Sequence, residues 1–303
     1  MCAAFCLCLP LLPYKPDAYL VLLSGVLVLT LIGIYDDVCE VNPTKRFLLH
    51  CGVVLYVVLE GSIRIDHLGD LFNRGSDTPL DESAIPLTLL GMVGIINAFN
   101  MIDGLDGLAG GLALITTGYL LALDLAAPLP DFSAAGTLLI LMMVIAGFLC
   151  FNLRHPWRNC ASVFMGDGGS TMLGFILAWF LVGLSQDHAS QAAVLMPITA
   201  AWIVAIPLVD AVAVMVRRLF HGQNPFGADR QHLHHLLLNF GYADGQVTAM
   251  LLVGAITTGA VGVVAYGLNV PEFVQFYGFI GVFLLYFGVT TWFWRRRTSA
   301  PTA

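Results

Sequence analysis

The sequence predicts an all-α polytopic membrane protein with about nine full transmembrane helices and a partial helix before them. Of the 303 residues, 58% are hydrophobic and only 11% are charged, and the mean hydropathy is +0.84. Such an apolar composition is typical of membrane proteins rather than soluble domains. The sequence lacks the two-residue alternation of a barrel, so the backbone must satisfy its hydrogen bonds in lipid as helices. We expect residues 1–303 to form one membrane domain.

The apolar runs are each close to the roughly 20 residues that a helix needs to cross a bilayer. They cover residues 18–35, 46–61, 84–100, 107–127, 134–152, 170–186, 192–216, 247–268 and 273–294. Residues 1–13 are also apolar but would reach only about 20 Å as a helix, and they lack the basic start of a signal peptide. We expect them to be the end of a helix whose beginning is missing from this chain.

The basic residues predict the orientation, because Lys and Arg favour cytoplasmic loops. If the C-terminal arginines are cytoplasmic, most of the basic residues share that side: Lys45, Arg46, Arg154, Arg158, Arg217, Arg218, Arg230, Arg295, Arg296 and Arg297. Only Lys15, Arg64 and Arg74 remain outside. The polar motifs described next then all fall at cytoplasmic helix ends or loops. This predicts cytoplasmic catalytic loops that form one site.

The central polar stretch, residues 97–111, interrupts the apolar background. Asn97, Asn100, Asp103 and Asp106 recur at every third position, so on a helix they would form a ladder of oxygen atoms along one face. An Asp in or beside a membrane helix is costly unless it faces water, a metal or a partner. The glycines here would let the backbone approach a phosphate closely. The alternative is a glycine-rich turn with capping Asn and Asp residues.

An acidic pair, Asp36 and Asp37, ends the first full run. Adjacent carboxylates repel each other, so they favour a bound cation such as Mg²⁺, held directly or through water. They could instead orient a nucleophile, or they could be solvated at the helix end. Arg46 opens the next run, where helix amides also attract anions, although it could be an ordinary cytoplasmic basic residue.

Two further acids lie in apolar surroundings. Asp167 stands among glycines just before a run, where it is either a helix cap or an ion ligand with space around it. Asp210 lies inside a run near its cytoplasmic end. We expect it to pair with Arg217 or Arg218 as a structural bridge.

Three histidines cluster in the longest cytoplasmic loop: His232, His234 and His235. A zinc site is disfavoured because neither a cysteine nor a carboxylate nearby completes a tetrahedral set. Imidazoles beside an arginine suit a phosphate or diphosphate better. A solvated polar loop is the alternative.

The order of these motifs resembles the polyprenyl-phosphate N-acetylhexosamine-1-phosphate transferases, the glycosyltransferase 4 family. The motifs are Asp-Asp at 36–37, Asn-x-x-Asn-x-x-Asp-Gly-x-Asp-Gly at 97–107, Phe-Met-Gly-Asp-x-Gly-Ser at 164–170 and Asp-Arg-Gln-His-Leu-His-His at 229–235. The His-Leu-His-His form is most similar to the bacterial branch that uses UDP-GlcNAc and undecaprenyl phosphate. The helix and basic loop with which the family begins have no counterpart here, so we expect a late start or a truncation.

The resemblance implies roles for individual residues. Mg²⁺, with Mn²⁺ as an alternative ion, would be held by Asn100 and Asp167. The catalytic set would be carboxylates: Asp36 and Asp37 near the lipid phosphate, and Asp103 supporting the centre. The substrate-binding set would comprise polar side chains: Arg46 at a phosphate, Asn97, Asp106 at the uridine, and His232, His234 and His235 at the diphosphate or sugar.

The implied reaction is transfer of GlcNAc-1-phosphate from UDP-GlcNAc to undecaprenyl phosphate, with release of UMP. It would start a lipid-linked cell-surface glycan at the cytoplasmic face of the bacterial inner membrane. The expected partners are a UDP-sugar, a polyprenyl phosphate and the membrane, without nucleic acid, and a homodimer stays open. The alternatives are a UDP-MurNAc-pentapeptide phosphotransferase of the same family, an ion-coupled transporter or an inactive scaffold.

Overall fold

The computed structural model describes residues 1–12, 18–39, 41–61, 63–154, 160–187, 192–225, 227 and 231–298. Within these ranges the regular structure is helical, apart from one isolated antiparallel bridge between His67 and Pro79. The all-α prediction is therefore confirmed. Several residues used in the sequence argument lie outside the described residues: Lys15, Arg158, Asp229 and Arg230.

The helices follow the apolar runs closely. In chain order they are α1 (Cys2–Cys8), α2 (Ala18–Cys39), α3 (Pro43–Gly61), α4 (Ala84–Ile102), α5 (Leu108–Ala126), α6 (Phe132–Asn152), α7 (Gly166–Gly183), α8 (Pro197–Ile203), α9 (Ala205–Phe220), α10 (Leu233–Asn239), α11 (Asp244–Gly267) and α12 (Glu272–Thr298). Short 3₁₀ turns at Leu9–Leu11 and Asp81–Ser83 extend α1 and precede α4. The chain is a polytopic membrane protein.

The number of membrane spans is lower than the predicted nine. In the part of the chain that the structure describes, six helices are long and apolar enough to cross a membrane: α2, α4, α5, α6, α11 and α12. The bent pair α8–α9 raises the count to seven if it is one span. The prediction of nine was wrong for α3 and α7. Helix α3 carries Lys45, Arg46 and Glu60 in 19 residues, and α7 begins with the polar and small residues Gly166–Ser170, so neither is long and apolar enough to count as a span.

The α8–α9 pair is bent by 86° at Val204. Pro207 lies in the first turn of α9. A proline ring clashes with the carbonyl four residues earlier, here that of Ile203 at the end of α8, and it cannot donate a helical hydrogen bond. Residues 192–216, predicted as one run, are therefore broken into two short helices.

Helix α7 forms the centre of the bundle. Its residues from Ser170 to Val182 are all buried, and it packs along both α2 and α4. Small residues allow this close approach. A methyl group on Gly174 would lie 2.8 Å from the Cα of Ile96 in α4, so α4 and α7 touch backbone to backbone.

One end of the bundle collects the polar motifs. The ends of α2, α4 and α6 meet the beginnings of α3, α5 and α7 there. Arg46 donates to Asp36, Asn100 donates to Asp167, and the amide of Gly107 donates to Asn152. The opposite end holds residues 63–83, where the Gln186 side chain accepts hydrogen bonds from the amides of Asp66 and His67. The fold thus gathers sequence-distant polar groups at one membrane face.

Candidate active site

Arg46 links two of the predicted acidic motifs. Its Nη1 lies 2.7 Å from Oδ2 of Asp36 and 3.3 Å from Oδ2 of Asp167. The other oxygen of Asp36, Oδ1, accepts a hydrogen bond of 2.7 Å from the amide of Val41. Asp36 is buried, whereas the Asp167 side chain remains 34% exposed. The arginine thus holds a buried carboxylate and a solvent-accessible one in a single cluster.

Asn100 and Asp37 complete this cluster around Asp167. The Nδ2 of Asn100 donates to Oδ1 of Asp167 at 2.8 Å and to Oγ of Ser170 at 3.1 Å. The amide of Asp167 donates to Oδ1 of Asp37 at 3.1 Å. Residues 36–37, 46, 100 and 167, which are far apart in sequence, therefore lie within the reach of one bound diphosphate.

Glycine 166 shapes the turn that presents Asp167. Its φ of +66° is in the left-handed region, and a Cβ there would come 2.8 Å from Oδ2 of Asp37. A larger residue would meet both backbone strain and the neighbouring carboxylate. The glycines around Asp167, which were also consistent with a helix cap, therefore mark a tight turn of the chain against Asp37.

The predicted ladder of four oxygens on one helical face was wrong. Helix α4 ends at Ile102, and Asp103 follows it with a ψ of 55°. Gly107, with a φ of +77°, then begins α5. Asn97 and Asn100 therefore lie on α4, whereas Asp103 and Asp106 lie in the turn, because the glycines at 104 and 107 interrupt the helix.

The turn after α4 lines a cavity of about 270 Å³ together with Asp167. Asp103 and Asp106 both face it. Burial, with smaller contributions from the carboxylates of Asp167, Asp106 and Asp37, raises the pKa of Asp103 to about 7. Asp103 therefore passes between its protonated and ionised forms near neutral pH, which limits the negative charge of the cavity below that pH.

Asp106 is anchored from outside the turn. Its Oδ2 accepts hydrogen bonds from Nε of Arg154 at 2.8 Å and from the amide of Ala161 at 3.1 Å. The Nη2 of Arg154 reaches Oδ2 of Asp244 at 2.7 Å. This chain of charges joins the α4–α5 turn to the end of α6 and the start of α11.

A second cavity, of about 180 Å³, lies on the other side of Asn100. It is lined by polar side chains of separate motifs: Arg46, Asn97, Asn100 and His232. The Nδ2 of Asn97 donates to the carbonyl of Val93 at 2.9 Å, which leaves its Oδ1 and its second N–H available. Three predicted substrate-binding residues thus share one cavity with a predicted metal ligand.

The three histidines stack on one another beside the central stretch. His234 lies parallel to His232, with 5.7 Å between the ring centroids, and 4.2 Å from the ring of His235. A Cβ on Gly104 would come 2.7 Å from Nε2 of His234. Burial, and then the neighbouring histidines, lower the pKa of His234 to about 4, so this imidazole is neutral at physiological pH.

Asp210 does not pair with Arg217 or Arg218 as predicted. Its Oδ2 lies 2.8 Å from Nδ1 of His232 instead. Helix α9 turns Asp210 towards α10 and α12, whereas Arg217, two turns later, donates to Thr290 at 3.0 Å. The predicted bridge to an arginine was therefore wrong, and the partner of Asp210 is a histidine of the His-Leu-His-His motif.

The donor set around Asp167 fits Mg²⁺ by its chemistry. Asp36, Asp37, Asn100 and Asp167 offer carboxylate and amide oxygens, the ligands that hard divalent cations prefer. Among the described residues, however, no three His, Cys, Asp or Glu side chains are already arranged around a common point. The Arg46 guanidinium supplies positive charge to the cluster, so metal binding would require it to yield part of its contact with Asp167.

A large apolar cavity of about 960 Å³ opens beside the cluster. It lies between α1, α2, α6 and α7, and its walls include Ile34, Met143, Gly147 and Phe148. Asp37 also lines it and supplies a charge in an otherwise apolar wall. Such a cavity suits a long hydrocarbon chain whose head group is polar.

Sequence reasoning missed several residues that build the site. Asn152 accepts from the amide of Gly107 at 2.9 Å and donates to the carbonyl of Val163 at 2.8 Å, which ties two site loops together. Ser170 and Asp244 hold Asn100 and Arg154. Asn152 could have been noticed as a polar residue at the end of an apolar run, but that position does not identify Gly107 and Val163 as its partners.

The chain is similar to known proteins over most of its length. Residues 19–185 match the model of Glycosyl transferase family 4. The chain is 36% identical over 280 residues to the undecaprenyl-phosphate alpha-N-acetylglucosaminyl 1-phosphate transferase of Haemophilus influenzae, an alignment that covers 91% of this chain and 76% of that protein. The Pasteurella multocida protein of the same name is 35% identical, covering 97% and 83%. The Escherichia coli protein is 35% identical, covering 90% and 72%.

Proposed function

The chain belongs to glycosyl transferase family 4, and from this premise we propose that it transfers GlcNAc-1-phosphate from UDP-GlcNAc to undecaprenyl phosphate. UMP leaves, and the lipid-linked diphospho-sugar starts a cell-surface glycan. One observation carries the proposal: Arg46 contacts both Asp36 and Asp167. This contact brings two of the motifs together beside an apolar cavity that suits a lipid.

The bond changes are those of a direct phosphoryl transfer. An oxygen of the lipid phosphate forms a bond to the β-phosphorus of UDP-GlcNAc. The bond from that phosphorus to the bridging oxygen breaks, and UMP leaves with its electron pair. A phosphomonoester is mostly dianionic at neutral pH, so the attacking group requires little help from a base. The main barrier is repulsion between two anionic substrates.

Positive charge at the cluster reduces that repulsion. Asn100 and Asp167 are the residues that would hold Mg²⁺, with Mn²⁺ as an alternative of similar ligand preference. When bound, the ion neutralises part of the diphosphate charge. Arg46 adds a guanidinium that can bind a phosphate oxygen through two N–H groups. Both oxygens of Asp36 already accept hydrogen bonds, which favours a role in holding Arg46 over attack on phosphorus.

The lipid and the nucleotide approach from different sides. The apolar cavity would hold the polyprenyl tail and leave its phosphate near Asp37, while the cavity of Asp103 and Asp106 would hold the uridine. Asp106 can accept a hydrogen bond from a ribose or uracil donor through its remaining oxygen. The second cavity, lined by Asn97 and His232, would receive the sugar side of the diphosphate.

The site is proposed to face the cytoplasm of a bacterium, at its inner membrane. The basic residues support this orientation, because Lys45, Arg46 and Arg154 lie at the same end of the bundle as the acidic cluster. Lysine and arginine are enriched on the cytoplasmic side of membrane proteins. UDP-sugars are made in the cytoplasm, so a site at this end would meet its donor there.

A transfer assay tests the proposal. The purified chain is supplied with undecaprenyl phosphate, Mg²⁺ and UDP-GlcNAc that is radiolabelled in the sugar. We expect label to enter the organic phase, with one UMP released per labelled lipid. Asp167→Asn is the control that should lose both signals.

Other outcomes would assign a different function. Label transfer from UDP-MurNAc-pentapeptide, but not from UDP-GlcNAc, would move the chain to the other donor. Ion flux into liposomes without UMP release would favour a transporter, which is expected to carry its acids near the bilayer midplane. Absence of both activities in a well-folded sample would favour a scaffold.

A further inference from the structure

A buried polar network lies behind the second cavity, outside the acidic cluster. Its centre is Asp210 of α9, which is only 2% exposed. Oδ2 of Asp210 lies 2.8 Å from Nδ1 of His232, while Oδ1 accepts from the Tyr286 hydroxyl at 2.6 Å and from the amide of Leu233 at 3.0 Å. The network therefore joins α9, the start of α10 and α12.

The geometry fixes which nitrogen of His232 is free. A carboxylate can only accept, so Nδ1 of His232 carries the proton of the 2.8 Å hydrogen bond to Asp210. Nε2 is on the opposite side of the ring, and His232 lines the cavity shared by Arg46 and Asn100. Asp210 thereby fixes the orientation of the ring, with Nδ1 towards α9 and Nε2 at the opposite edge.

The position of this carboxylate argues for more than packing. Burying a carboxylate costs several kcal/mol that hydrogen bonds only partly return, so an apolar residue is often as stable or more stable at such a position. Here all three donors converge on Asp210, and one of them is the histidine at the cavity wall. A second tie between α9 and α12, from Arg217 to Thr290, joins the same helices without contacting His232.

We propose that Asp210, itself held by Tyr286, is a positioning residue that directs Nε2 of His232 at a phosphoryl oxygen of the bound UDP-sugar. This inference rests on the proposed function, because it assigns the second cavity to that substrate. A phosphoryl oxygen can only accept, so His232 would bind it as an imidazolium that donates through Nε2, and the carboxylate of Asp210 balances that positive charge. Tyr286 gives the last helix a part in the site.

Steady-state kinetics of single and double variants test the proposal. We expect Asp210→Asn to lower kcat/KM for UDP-GlcNAc by about tenfold or more, within the range of coupled neighbours, while KM for undecaprenyl phosphate is unchanged. Tyr286→Phe removes one hydrogen bond and should lower kcat/KM for UDP-GlcNAc about threefold. Thr290→Val removes the acceptor of Arg217 and the hydroxyl that donates to the carbonyls of Tyr286 and Phe287. It keeps every group that contacts Asp210, so it is the matched control and should leave kcat/KM within twofold of wild type.

The double variant separates positioning from general stability. In a His232→Ala background, Asp210→Asn should lower kcat/KM by less than about twofold, because its effect passes through the imidazole. The proposal would be overturned if the two substitutions lowered kcat/KM multiplicatively in the double variant. It would also be overturned if Thr290→Val lost as much kcat/KM as Asp210→Asn. Melting temperature and elution profile identify misfolded variants, and Tyr286→Phe keeps the test open if Asp210→Asn misfolds.

Binding calorimetry distinguishes this inference from the proposed function. If the wild-type chain transfers no sugar, the proposed function fails, and calorimetry with UDP-GlcNAc then decides the inference. Weaker binding by Asp210→Asn, with unchanged binding by Thr290→Val, would support it. Equal binding by wild type and Asp210→Asn, or no binding by the wild type, would overturn it.

Discussion

Gly33 of α2 lies directly against the backbone of Gly168 in α7, so closely that a methyl group on Gly33 would overlap the Cα and N atoms of Gly168. Gly33 is one turn before the acidic pair, and Gly168 follows Asp167. Because backbone atoms cannot rotate away as a flexible side chain can, this contact sets the distance between Asp36 and Asp167. The metal and phosphate chemistry proposed for the cluster therefore depends on two residues that have no side chain.

Gly33→Ala should separate the acidic pair from Asp167. Overpacking of this kind typically costs about 1–3 kcal/mol, and we expect kcat/KM to fall at least tenfold as α2 moves outward. Transfer kinetics and the melting temperature measure the two effects. Gly52→Ala in α3, where no heavy atom lies within 4 Å of the new methyl group, is the control and should keep full activity. Normal activity in Gly33→Ala would show that the helices have freedom to adjust.

Asp167→Asn should abolish Mg²⁺-dependent UMP release. The substitution keeps the size of the side chain but removes the charge that a divalent ion requires. Its one remaining oxygen can accept from Asn100 or from Arg46, which donate to different oxygens of Asp167. UMP release across a range of Mg²⁺ concentrations is the measurement. Glu60→Gln, which neutralises an exposed carboxylate in α3, should keep the wild-type dependence. Near-normal release by Asp167→Asn at low metal would refute its role as a ligand.

Asp103 should make the stability of the metal-free protein depend on pH. Burial and neighbouring carboxylates raise its folded-state pKa to about 7, above the value of about 3.9 in an unfolded chain. The protonated form therefore stabilises the fold most below about pH 4, and this contribution is lost as the pH rises to about 7. Above that value both states are ionised, and the contribution no longer changes.

Melting temperatures in chelator at pH 5, 6, 7 and 8 measure this effect. The wild-type value should fall relative to that of Asp103→Asn as the pH rises to about 7, and the difference should then stay constant. A constant difference for Asp103→Asn across this range would mean that this side chain is already ionised at pH 5.

The sequence predicted the helices well because apolar runs of membrane length have few alternative structures. The break at Val204 was missed even though Pro207 was visible, since membrane helices often tolerate a proline. The count of nine spans failed for α3 and α7 because their first turns contain residues of the site. Hydropathy locates helices, but it does not tell a span from a helix whose end serves chemistry.

The site was predictable where a carboxylate that is costly to bury stands in an apolar stretch of sequence, as Asp36, Asp37 and Asp167 do. The site was not predictable where the role of a residue depends on a partner that is distant in sequence. Asn152 reaches Gly107, and Asp210 reaches His232 rather than an arginine nearby in sequence. Such pairings depend on tertiary packing, which a local pattern of residue types does not encode.

The apolar cavity beside Asp37 should determine how well the lipid acceptor binds. Gly147 of α6 lines this cavity, and no heavy atom lies within 4 Å of a Cβ added there, so Gly147→Phe should fold and extend its ring into the cavity. Displacing the equivalent of two buried methylene groups of the tail costs about 1.6 kcal/mol. KM for undecaprenyl phosphate should then rise about tenfold, while KM for UDP-GlcNAc stays unchanged.

Gly281→Phe, at an equally open position on α12, is the control and should alter neither value. Equal increases in both KM values for Gly147→Phe would mean that the ring disturbs the acidic cluster, and unchanged values would place the lipid tail in another groove.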